Sequence, residues 1–94
     1  MLPPVEYAKR INRTWIVNGN LAQNATRYLE HVEKAQPSML EEICERAVQA
    51  ARLASHEGRD PKPDFYAALF SRSTPEEQET YLKEHLWTRR QLQQ

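Results

Sequence analysis

After Pro3-Pro4, apolar side chains recur three and four positions apart at Ala8, Ile11 and Trp15, the spacing of one helical face, and predict a first helix from about residue 4 to 17. Asn18-Gly19-Asn20 follows, with a glycine free to take positive φ and an asparagine able to cap the next helix. The next stripe, Leu21, Ala25, Tyr28 or Leu29, and Val32, closes before Gln36-Pro37, because a residue preceding proline is pushed out of helical geometry. Helix two is therefore expected to end near Ala35.

Ser38-Met39-Leu40-Glu41 reads as a capping box, in which the Ser hydroxyl accepts from the third backbone amide and the Glu reaches back. The helix it opens presents Leu40, Ile43/Cys44, Ala47, Ala50/Ala51 and Ala54 and stops at Gly58. A face made mostly of alanine lets neighbours approach near the short end of the ~8–10 Å range for helix pairs, which suits a central helix. Glu57 to Pro63, EGRDPKP, holds one Gly and two Pro in seven residues and reads as a linker. Beyond it, Asp64 can cap a short apolar helix, Phe65 to Phe70, and Thr74-Pro75-Glu76-Glu77 is a second capping box opening a last helix from Pro75 to about Leu92. The expected fold is all-α, a bundle of about four to five short helices. It forms a single domain, with sub-units 1–57 and 64–94 as the alternative division about the linker.

The two boxes belong to an internal echo. At an offset of 38, Tyr28 meets Tyr66, Val32 meets Phe70, Pro37 meets Pro75, Ile43 meets Tyr81, Val48 meets Leu86 and Arg52 meets Arg90. One such pair is short of a solenoid, which needs three or more units, and the echo reads as a shared design of helix, proline turn and helix.

Composition narrows the function. A chain of this length has a modest core, and plentiful Ala, Glu, Arg and Gln with few β-branched residues agrees with helices. Thirteen basic and thirteen acidic side chains cancel, so no global field holds the chain on nucleic acid or an anionic membrane. Met1 to Tyr7 has no basic segment followed by an apolar run, and no window approaches a membrane span of about 20 apolar residues, so a soluble, cytoplasmic protein is expected. On that basis the sequons Asn12-Arg13-Thr14 and Asn24-Ala25-Thr26 are accidental.

Candidate chemistry is sparse. His31, His56 and His85 stand in no metal-ligand spacing, and a single cysteine excludes a multi-cysteine zinc site. Cys44 lies on the alanine stripe among Glu41, Glu42 and Glu45, the wrong sign for a nucleophile, and reads as a small buried apolar residue. Those carboxylates, with Glu76, Glu77 and Glu79, are expected in first turns of helices, complementing the dipole. Two glycines leave no phosphate-binding loop. The expectation is a non-enzymatic protein with no catalytic residue, metal or cofactor.

Aromatic and basic residues carry the binding candidates. Tyr81, Leu86, Trp87 and Arg90 on the last helix are the expected partner surface, because Trp and Tyr are enriched at interface hot spots and the apolar stripe of that helix is thin. Lys9, Arg10, Arg13, Trp15 and Arg89 are the candidates for local nucleic-acid contact through phosphates and stacking. The main reading is a helical adaptor or accessory subunit that modulates a cytoplasmic partner protein, with self-association as a further mode and a small nucleic-acid-binding protein as the alternative.

Residues 24–55 resemble the second and third helices of the theta subunit of bacterial DNA polymerase III, through Val32-Glu33, Gln36-Pro37, Leu40 and the run Arg52-Leu53-Ala54-Ser55. Residues 63–92 give a second match through Pro63, Arg72, Pro75-Glu76 and Tyr81. The resemblance implies a non-enzymatic accessory subunit that binds a proofreading exonuclease, in bacterial or phage DNA replication or recombination. The carboxy-terminal helix pair is additional to that three-helix protein.

Overall fold

The computed structural model describes residues 3–15 and 20–77. The fold is all-α. Four helices occur among these residues: α1 (Pro4–Thr14), α2 (Asn20–Ala35), α3 (Pro37–His56) and α4 (Pro61–Leu69). A further helical turn starts at Pro75. The continuation of that helix to Leu92 and the Asn18-Gly19 break lie outside the described residues.

Each helix starts with proline or asparagine, and the three prolines act alike. Proline at the first helical position has φ preset for the helix and lacks an N–H that would in any case have no partner. Pro4 opens α1 this way after an extended Pro3, with no side-chain cap. That helix ends earlier than the expected residue 17, with Trp15 closing it through its N–H to the Ile11 carbonyl at 3.2 Å. Pro37 opens α3 after Gln36, so Ser38 sits inside the helix and its capping box does not form. The Thr74 box does form: the Glu77 N–H donates to Thr74 Oγ1 at 3.1 Å, and the Thr74 N–H donates to Glu77 Oε1 at 2.9 Å.

The expected linker 57–63 contracts to four residues, Glu57 to Asp60. Pro61 and Pro63 do not break the chain but occupy the first turn of α4, where missing N–H groups cost little. Asp60, not Asp64, is the cap, its Oδ1 accepting from the Lys62 N–H at 3.0 Å. Gly58 at φ +77° ends α3 in a Schellman turn, with the Arg59 N–H on the Ala54 carbonyl at 2.8 Å and the Gly58 N–H on Ser55 at 3.1 Å. The Arg59 guanidinium then bridges Glu57 at 2.6 Å and Asp64 at 2.9 Å, tying the turn to the start of α4.

The alanine-rich α3 is central and touches each of the other three helices. Its buried stripe is Leu40, Ile43, Cys44, Ala47, Val48, Ala51 and Ala54. On α2 both Tyr28 and Leu29 are buried, with Leu21, Ala22, Ala25 and Val32. The short α4 brings large side chains to the small ones of α3: Phe65, Tyr66, Leu69 and Phe70 are fully enclosed. Their rings form a chain of contacts, Phe65 on Tyr66 at 5.0 Å between centroids and Phe70 on Tyr28 at 5.1 Å. One apolar cluster therefore spans all four helices. Within the echo, Tyr28 and Tyr66 are both buried and Pro37 and Pro75 both open helices, while the partners of Ile43, Val48 and Arg52 lie outside the described residues.

Candidate functional site

One polar group crosses this core. Asn12, 3% exposed, stands on the apolar face of α1. Its Oδ1 accepts from the Tyr66 hydroxyl at 2.6 Å, and its Nδ2 donates to the Ala22 carbonyl at 2.9 Å and to Thr26 Oγ1 at 3.1 Å. The Thr26 hydroxyl donates to the same carbonyl at 3.0 Å. The network joins α1, α2 and α4, and burial raises the Tyr66 hydroxyl pKa well above the usual tyrosine range. The Asn12 sequon is thus a structural asparagine whose amide nitrogen is engaged on both sides. Asn12 falls one turn beyond Ala8 on the Ala8, Ile11, Trp15 stripe, so a polar residue among apolar ones was the available signal.

Cys44 is fully buried. Removal from water pushes its thiol up to about 11, an effect that the nearby Lys9 ammonium only partly opposes. At neutral pH it is a protonated, enclosed thiol. Among the described residues no group of three or more His, Cys, Asp or Glu side chains is placed to hold a metal ion, and no helix is long and apolar enough to cross a membrane.

The basic candidates of α1 neighbour one another along the helix, Arg13 standing three positions from Arg10 and four from Lys9. Lys9 faces Glu33 of α2 at 4.0 Å. Arg10 and Arg13 are exposed. Trp15 is half-buried, its ring edge-on to Phe65 at 5.3 Å and to Tyr66 at 6.0 Å, so much of it packs on the core. Tyr81, Leu86, Trp87, Arg89 and Arg90, like His85, lie outside the described residues.

Two concavities stand out among the described residues. The smaller, about 140 Å³, lies between the end of α2, the start of α3 and the 72–77 segment, with Tyr28, His31, Met39, Arg72 and Glu77 among its lining. The larger, about 340 Å³, is an open groove between α1 and α3 lined by Pro4, Tyr7, Glu41, Glu45, Val48, Gln49 and Arg52. Glu41, Glu45, Val48 and Arg52 are spaced by four, three and four residues, so they form one stripe along α3 at the edge of its buried face, to which Val48 belongs. The stripe runs about three turns, roughly 16 Å. Val48 supplies an apolar floor and Tyr7 an aromatic wall, with the Arg52 guanidinium 4.8 Å from the centre of the Tyr7 ring.

The carboxylates of this groove do not sit where the sequence suggested. Because α3 starts at Pro37, its first turn carries no acidic residue, and Glu41 and Glu45 lie in later turns, where the helix dipole has faded. Glu42 is engaged, accepting from Arg46 at 3.0 Å and Arg72 at 2.8 Å. Among the described residues no cation pairs with Glu41 or Glu45, and the contact from Gln49 to Glu45 is long, at 3.5 Å. Among the described residues, the end of the groove at Glu41 and Glu45 is therefore acidic.

The chain matches no protein-family model, no curated protein and no solved structure.

Proposed function

We propose that the protein is a non-enzymatic helical adaptor or accessory subunit that acts by binding a partner protein in the cytoplasm. The groove between α1 and α3 carries this reading: an open concavity with Val48 in its floor, the Tyr7 ring in its wall and, on its rim, Glu41 and Glu45, which pair with no cation among the described residues, offers a contact surface and charge. Helix-in-groove recognition uses such a surface, with apolar anchors inside and polar pairs around them. The resemblance of residues 24–55 to the theta subunit of bacterial DNA polymerase III supports an accessory role in replication or recombination. In that segment a helix, a Gln36-Pro37 turn and a longer helix follow one another.

The test is affinity capture of the full chain from its own cells, followed by reconstitution of the complex from purified components. The expected result is a saturable complex of fixed stoichiometry; a chain that captures nothing specific would refute an adaptor role.

A second reading, nucleic-acid binding, draws on the solvent-exposed Arg10 and Arg13 of α1. The balanced charge of the whole chain opposes it, because non-specific affinity depends on phosphates neutralised by Lys and Arg. Duplex DNA binding weaker than micromolar at ~150 mM salt is expected; tight binding with a steep salt dependence would put this reading first.

A further inference from the structure

We draw no further inference here: the strongest candidate, the cavity of about 140 Å³ between the end of α2, the start of α3 and the 72–77 segment, carries nothing, because Arg72 and Glu77 in its lining are committed to Glu42 and Thr74 and nothing in the structure shows what covers it.

Discussion

The Asn12–Tyr66 hydrogen bond gives a demanding test of how the core is held. Tyr66 is fully buried, and its hydroxyl donates over 2.6 Å to an asparagine that is itself enclosed. Tyr66→Phe keeps the ring and its packing on Trp15, Phe65 and Phe70 but strips the donor from Asn12 Oδ1. The bond itself is worth about 0.5–1.5 kcal/mol net, and a buried acceptor left without its partner costs about 1–3 kcal/mol, so a loss of ~2–3 kcal/mol is expected. Against a total of roughly 5–15 kcal/mol for a small domain that is a large fraction. It corresponds to a fall in Tm of about 10–20 °C at ~4–8 °C per kcal/mol.

Asn12→Leu takes the acceptor from Tyr66 instead, while the Ala22 carbonyl keeps the Thr26 hydroxyl. With both partners made apolar no group is left buried and unmatched, so the double variant should lose less than the sum of the singles by about 1–2 kcal/mol. Urea unfolding followed by far-ultraviolet circular dichroism, with unchanged m-values, measures all four corners of the cycle. A cost for Tyr66→Phe below ~0.5 kcal/mol, the range of ordinary surface changes, together with additive singles, would refute the buried network.

Cys44, with its pKa raised from about 9 to about 11 by burial, makes stability depend on alkaline pH. The unfolded thiol ionises first, so this contribution is complete below pH ~9 and is lost as pH rises towards about 11. Cys44→Ala should flatten that part of the stability profile at a cost of about 1–2 kcal/mol as a small core truncation, and native Cys44 should resist thiol reagents at neutral pH; rapid labelling of the folded chain would contradict its burial. At Gly58 an added Cβ would meet nothing within 4 Å, so the penalty is purely that of φ +77°. Gly58→Ala should therefore cost about 1–2 kcal/mol, and a neutral result in the same urea titration would mean that α3 can end without the left-handed turn.

What the sequence determined by itself is what a few neighbouring residues decide. The apolar periods, the stop at Gly58, the Thr74 box and the burial of Cys44 on an alanine stripe are local matters of backbone geometry and side-chain size, and they were legible from spacing alone. So was the central place of α3, since only a helix of small side chains can be approached closely from several directions. Where two local signals competed, the sequence misled: proline needs no cap, so Pro37 overrode Ser38, and Pro61 and Pro63 extended a helix into what read as a linker. The rest was decided by residues distant in the chain. Asn12 and Tyr66 are 54 positions apart, and no periodicity reveals that one supplies the hydrogen bond of the other. The availability of Glu41 and Glu45 likewise depends on Glu42, not they, meeting Arg72 thirty positions on, and on α1 lying beside α3 to give those carboxylates a groove to line. Period and propensity are short-ranged along the chain, whereas satisfied buried groups and unsatisfied surface charges are defined only once the helices have packed.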